Sequence, residues 1–242
     1  MQLPDAKCRT VAAAFGPVWE AGAGSRVPSK EMTDWATTSS LATAAGTLVL
    51  AVATFASVRS ANRAARTAER ALQVGIRPLL MPSRFDDPVE KVMWGDDHWA
   101  KIGAGRAAVE LTGSIIYLAI PLRNVASGIA VLQGWHAKPA PSDPKEPHAD
   151  PEEFRRQIRD LYVPGGDLGY WQGALRDPGE VAYKELFDAI EQRRRITVEL
   201  LYSDHEGGQR AIGRFALNPR DGGDDWLCTM ARVWNLDRPD PR

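Results

Sequence analysis

The chain has 242 residues, with 30 Lys/Arg against 31 Asp/Glu, 44% hydrophobic residues and 25% charged residues. That length holds one ordinary domain plus an anchor, and that composition excludes a polytopic transporter and a largely disordered chain. The net charge of -1 conceals a division: residues 59–77 carry five arginines and one acid, whereas residues 78–242 carry 21 Lys/Arg and 26 Asp/Glu, an acidic body that argues against a dedicated nucleic-acid binder.

Residues 1–34 are rich in Gly, Ala and Pro without periodicity and read as a disordered N-terminal tail, with Met32 offering a second start site. Residues 35–58, WATTSSLATAAGTLVLAVATFASV, form an uncharged run of 24. As a helix that is about 36 Å, against a hydrocarbon core of about 30 Å. The run is predicted to be a transmembrane helix. A cleaved signal peptide is disfavoured, because the run is too long and starts well inside the chain. Arg26 and Lys30 precede the span and Arg59, Arg63, Arg66 and Arg70 follow it, so the C-terminal body is expected in the cytoplasm of a single-pass protein of the cell membrane. Cys8 and Cys228, the two cysteines, then fall on opposite sides of the bilayer and cannot pair.

Residues 59–77 continue the helix as a basic stalk ending at Gly75 and Pro78. The spacing of Arg59, Arg63, Arg66 and Arg70 places them on one helical face. That is a topology signal, and also a strip suited to contact anionic lipid headgroups. Ala42 and Gly46 form a small-xxx-small pair that allows a homodimer through the helix.

The body, residues 78–237, changes period. Leu79-Leu80-Met81 reads as a short strand, followed by a turn-rich stretch; Val109 to Leu111 is expected to pair with the next run across Gly113. Residues 114–124, SIIYLAIPLRN, are the clearest strand, with Ile116, Leu118, Ile120 and Leu122 on one face and Pro121 suggesting an edge or a bulge. Residues 129–137 give a second strand. Helices are expected at 152–161, with Phe154, Ile158 and Leu161 on one face, and at 180–194, with Val181, Leu186, Phe187 and Ile190 facing the core. Residues 195–202 and 209–217 form a hairpin, 226–236 a last strand, and 238–242 a polar tail. The expected fold is an antiparallel β-sandwich with a helical insertion, α+β and mainly β, beside one transmembrane helix.

The span, the stalk ending Gly75-Ile76-Arg77-Pro78-Leu79-Leu80, the turn Leu122-Arg123-Asn124-Val125-Ala126-Ser127-Gly128 and the hairpin Tyr202-Ser203-Asp204-His205-Glu206-Gly207-Gly208 together resemble uncharacterised single-span membrane proteins of actinobacteria that carry a cytoplasmic immunoglobulin-like β-sandwich. That resemblance implies a fold and an address, and no reaction.

No motif assigns catalysis, a metal or a cofactor. Asp204-His205-Glu206 gathers three potential ligands, with Asp96-Asp97-His98 elsewhere, but adjacent residues on a turn point apart and metal sites recruit convergent ones. Gly103-Ala104-Gly105-Arg106 lacks the strand-to-helix context of a dinucleotide loop. Arg193-Arg194-Arg195 sits where cations favour a helix C-terminus, with a phosphate or membrane contact as the alternative. Of eight tryptophans, Trp94, Trp99, Trp135, Trp171, Trp226 and Trp234 belong to the body, where an exposed subset could serve a partner. The leading expectation is a non-enzymatic, membrane-anchored binding module with a protein partner. The alternatives are a membrane-bound hydrolase using Asp204 and His205, and an extracytoplasmic envelope or adhesion module.

Overall fold

The computed structural model describes residues 29–143 and 145–239. The chain divides into two compact units, Met1–Asn62 and Arg63–Arg242. Helix α1 (Ser29–Ile76) is a single element of 48 residues. Alanine, leucine and arginine favour it, and the hydroxyls of Thr43, Thr47 and Thr54 donate to carbonyls four residues back, so these polar groups are satisfied within the helix. Its segment Thr37–Gln73 is long and apolar enough to cross a membrane, and its most apolar window is 0% buried. The helix begins at Ser29, six residues before the expected start of the span. The remainder of the expected tail, Cys8 and Met1 lie outside the described residues. So do residues 240–242 of the expected C-terminal tail.

The second unit is mainly antiparallel β. Its strands are β1 (Leu80–Pro82), β2 (Glu90–Met93), β3 (Trp99–Ile102), β4 (Arg106–Thr112), β5 (Ile115–Asn124), β6 (Ala130–Pro139), β7 (Arg155–Arg156), β8 (Tyr162–Val163), β9 (Leu168–Leu175), β10 (Ile196–Ser203), β11 (Ala211–Pro219) and β12 (Trp226–Asn235), with helix α2 (Val181–Glu191) before β10. All but β2 and β3 belong to one ten-stranded sheet, ordered β1-β5-β4-β12-β11-β10-β6-β7, with β9 on the other edge of β5 and β8 on β6. The sheet curls upon itself. One half holds β1, β4, β5 and β9, the other β6 and β10–β12, and only the pairs Trp226–Ala107 and Leu227–Arg106 join β12 to β4.

The inner surface is the core. Ile116, Leu118, Ile120 and Leu122 on β5 are all fully buried, as their alternation predicted, and meet Trp171 on β9, Val198, Leu200 and Tyr202 on β10, and Phe215 on β11. Helix α2 adds Tyr183, Leu186, Ala189 and Ile190. Val181, expected to face inward, is 70% exposed. It occupies the first helical position, before the helix has turned its apolar face to β6 and β10.

Both outer surfaces are also covered. Hairpin β2–β3 lays Val92, Trp94, Ala100 and Ile102 over Tyr117 and Ala119. Residues 146–154 cross the outside of β10 and β11, where Leu201, Ile212 and Trp234 pack with Phe154. Under this strap lies an ion pair: Arg214 donates to Glu199 at 2.5–2.7 Å, and both residues are at most 4% exposed. Arg214 also donates to the carbonyls of Glu146 (2.9 Å) and Pro147 (2.7 Å), while Glu199 accepts from the amide of Ala149 (2.9 Å).

Two expectations fail for identifiable reasons. Pro121 marks neither an edge nor a bulge: β5 is paired on both sides. The Pro121 carbonyl accepts from Ser83 on the β1 side. An antiparallel residue points its N–H and C=O to the same side, so the missing N–H falls in the gap between β4, which ends opposite Ala119, and β1, which begins opposite Leu122. The helix expected at 152–161 is a single 3-10 turn, Pro151–Glu153, capped by Asp150. After it, Arg155 and Arg156 pair with Trp135 and Gly134 on β6. An unpaired sheet edge offers those backbone groups hydrogen bonds that an isolated helix of this length, marginal in water, cannot outbid.

The entry from α1 into the sheet is fastened by Asn124, which is fully buried. Its amide donates to the carbonyls of Gly128 (2.6 Å) and Val163 (3.2 Å), and its Oδ1 accepts from Leu79 (3.3 Å) and Ala126 (3.2 Å). Gly128 lies so close to Ile76 that a Cβ would overlap the Ile76 carbonyl. Arg77 pairs with Asp237.

Candidate functional site

The residues singled out by sequence do not gather into one site. Asp204 is buried, and its Oδ1 accepts from the amides of Gly208 (2.8 Å) and Gln209 (3.3 Å), so it shapes its own turn while His205 and Glu206 face solvent. His98 stacks on Tyr117 with ring centroids 4.0 Å apart and bonds Glu110 at 2.8 Å. Among the described residues, no group of three or more His, Cys, Asp or Glu side chains could hold a metal ion. Gly103-Ala104-Gly105 is the turn between β3 and β4. Arg193 clasps the carbonyls of Arg220 (2.9 Å) and Gly223 (2.6 Å), a local tie between α2 and the β11–β12 loop. Arg59, Arg63, Arg66 and Arg70 are exposed along α1. Of the body tryptophans only Trp99 is exposed, at 59%.

A cleft of about 340 Å³ lies elsewhere, where residues 155–159 leave the edge of β6 and run past β9. Its wall includes Trp94, Gly95, Trp135, Gln157, Gln172 and four arginines: Arg155, Arg156, Arg159 and Arg176. Among the described residues no acid lines it. Two of the arginines are neutralised within the protein. Arg155 pairs with Glu180 and lies over the Trp135 ring, its guanidinium carbon 5.6 Å from the centroid. Arg176 donates to Asp96 at 3.0 Å, and the same carboxylate accepts from the Tyr117 hydroxyl at 2.7 Å. The Tyr117 bond, with Arg176 behind it, holds the Asp96 carboxyl down at about 2.

Arg156 and Arg159 have no ion-pair partner among the described residues, and both are exposed. The Arg159 guanidinium is packed on the β2–β3 turn, with Nη1 2.9 Å from where a Cβ on Gly95 would stand. Arg176 bonds Asp96, the next residue of that turn. The backbone beneath is fixed. The amide of Gln157 donates to the Gln133 carbonyl (2.9 Å), and its buried side chain donates to the carbonyls of Arg159 (2.7 Å) and Gln172 (3.3 Å). Asp160, which follows Arg159 in the chain, is engaged by Tyr170 (3.0 Å) and Gln172. Burial, with Asp160 second, pushes the Tyr170 hydroxyl up to about 12, so it stays a neutral donor.

Family models, curated proteins and solved structures give no match to this chain.

The geometry alone therefore defines the site. A concave wall with no acid, two unneutralised guanidinium groups and a fixed backbone suits an anion, because each guanidinium offers a planar fork of N–H donors. Sequence reading placed Arg155, Arg156 and Arg159 on a helix and left them out of any site. Three arginines within five residues of an otherwise acidic body were the available signal.

Proposed function

We propose that this chain is a single-span membrane protein whose β domain works as a binding module on the cytoplasmic side. The observation that carries this reading is α1, where Leu41, Leu48, Leu50 and Phe55 are each 67–69% exposed on a helix continuous with a folded domain. Leaving such side chains in water forfeits roughly 1.5–3 kcal/mol each, a cost that a bilayer removes. The four exposed arginines after the span favour a cytoplasmic body and suit contact with anionic headgroups. The two facing halves of the curled sheet are compatible with the immunoglobulin-like sandwich of the single-span actinobacterial proteins that the sequence resembles. Ala42 and Gly46 allow the helix to dimerise. Asp204 and His205 give a hydrolytic reading no support, because the Asp204 carboxylate is taken up by the amides of its own turn while His205 faces solvent. A protein partner remains part of the reading, with the domain presenting its surface beside the membrane.

Membrane fractionation with alkaline carbonate, together with C-terminal reporter fusions, tests it. Retention in the membrane and signal from a reporter that matures only in the cytoplasm are expected. Release by carbonate would overturn the anchor. Activity of a periplasm-only reporter would reverse the orientation and favour an envelope or adhesion module.

A further inference from the structure

We infer that the cleft between residues 155–159 and β9 binds a phosphate monoester, with Arg156 and Arg159 as the side chains that hold the phosphate. This deepens the binding-module reading and rests on it for biological context, although the chemistry of the cleft stands on its own geometry.

The cleft, at about 340 Å³, is within the range of small-molecule sites, roughly 300–1,000 Å³. Its charge is the deciding feature. Residues 78–242 carry 21 Lys/Arg against 26 Asp/Glu, yet this wall gathers four arginines and, among the described residues, no acid. Arg155 and Arg176 are occupied by Glu180 and Asp96, and those two pairs fix the rim without supplying free charge. Arg156 and Arg159 keep theirs. An acidic protein that leaves two guanidinium groups unneutralised at one concavity has a place for an anion of about two charges, which a phosphate monoester carries at neutral pH.

Two guanidinium forks recognise a phosphate better than a lysine pair would, because each can present two parallel N–H donors to neighbouring phosphate oxygens. The scaffold limits the ordering cost of binding. Gln157 is 6% exposed and anchors the backbone at both Arg159 and Gln172, while Gly95 leaves the room that Arg159 occupies. An ester is preferred over inorganic phosphate because Ile158, 79% exposed, stands on the lining beside the arginines and offers an apolar surface to an organic group. The phosphate monoester could arrive on a soluble metabolite or on a lipid headgroup such as that of phosphatidic acid, and the chemistry of the cleft is the same for both.

The test uses the full chain in nanodiscs of zwitterionic lipid, titrated calorimetrically with phenyl phosphate, glycerol 3-phosphate and phenylacetate. A parallel arm uses nanodiscs doped with phosphatidic acid and reads competition by phenyl phosphate. Saturable binding of a phosphate ester, weakened about tenfold by Arg156→Gln and again by Arg159→Gln, is expected. Arg194→Gln, at the far end of α2, should leave it unchanged and controls for net charge. Gly95→Ala, which crowds Arg159, should weaken binding without touching either arginine. Both arginines are exposed, so unchanged melting of the double variant separates lost binding from lost folding. Phenyl phosphate binding that is weaker in phosphatidic acid discs than in zwitterionic discs assigns the same site to a lipid headgroup, and equal binding in the two assigns it to a soluble ester. Absence of saturable binding to every phosphate probe, equal binding by the double variant, or equal binding of phenylacetate each overturns the inference. These titrations stand whether or not carbonate extracts the chain, so failure of the anchor and failure of the cleft remain distinguishable.

Discussion

Replacing Arg214 by Met tests the account of the strap on the outer face. Arg214 and Glu199 have side chains 5% and 0% exposed, and the arginine stacks over Trp234 with its guanidinium carbon 4.6 Å from the ring centroid. Breaking a buried pair by removing one partner costs about 3–5 kcal/mol, because the other charge stays behind. The carbonyls of Glu146 and Pro147 lose their donor as well, adding roughly 1 kcal/mol each. The expected loss is therefore about 5–7 kcal/mol, comparable with the whole stability of a modest domain, about 5–15 kcal/mol. In Glu199→Met/Arg214→Met the stranded charge is gone, and only Ala149 N–H and the two carbonyls remain unpaired. That variant should recover several kcal/mol and melt above the single Arg214→Met variant. Urea unfolding of the full chain in detergent, followed by tryptophan fluorescence, gives the four corners of the cycle. A loss below about 1 kcal/mol for Arg214→Met, or a double variant as unstable as the sum of the singles, would refute the assignment of the pair as the fastener of the strap.

Three further outcomes are expected. Burial pushes the Cys228 thiol far above its ordinary range, so in a Cys8→Ser background a disulfide reagent should leave the native protein unmodified and label it only after denaturant is added. Asp96 is held at about 2 from an ordinary 3.8. Its lowered folded-state value means a stabilising contribution that is present above about pH 4 and lost as pH falls towards 2. Asp96→Asn should flatten that part of the acid-melting curve, and carboxyl NMR should place its titration below that of the exposed aspartates. Gly128→Val places a side chain against the Ile76 carbonyl, so it should speed hydrogen exchange and proteolysis at residues 73–80. Unchanged protection there would dismiss the close approach as a constraint.

The parts legible in sequence were those where one short-range pattern dominates. The long apolar helix, the alternation of Ile116, Leu118, Ile120 and Leu122, and the hairpin of β10 with β11 all follow from period and turn residues. Strand β9 escaped because LGYWQGAL contains two glycines and no clean alternation. It forms against the free edge of β5, and Gly173 makes room for the Trp135 and Trp171 rings. The spacing of Phe154, Ile158 and Leu161 fits a helix as well as any in the chain. The segment is extended because it pairs with an edge more than fifteen residues away, and no window of sequence contains that edge. The cleft was hidden for the same reason. Its arginines come from β7, the following loop and the end of β9, with Gly95 from a hairpin contributed much earlier.

The two-pair seam between β4 and β12 bears on how the domain comes apart. Within each half the long strands share ladders of five or more pairs, such as the nine of β11 with β12, but across the halves Ala107 and Arg106 meet Trp226 and Leu227 and the ladder stops. Resistance to opening is thus weakest along one line through the sheet, and the two halves are the natural units of partial unfolding, each retaining its own ladders after the seam parts. Cys228 lies just beside that line, its amide bonded to the Gly105 carbonyl at 3.0 Å. Its thiol is a built-in reporter, and the rate at which it becomes reactive under mild denaturant measures the opening of the seam, before the cooperative loss of either half.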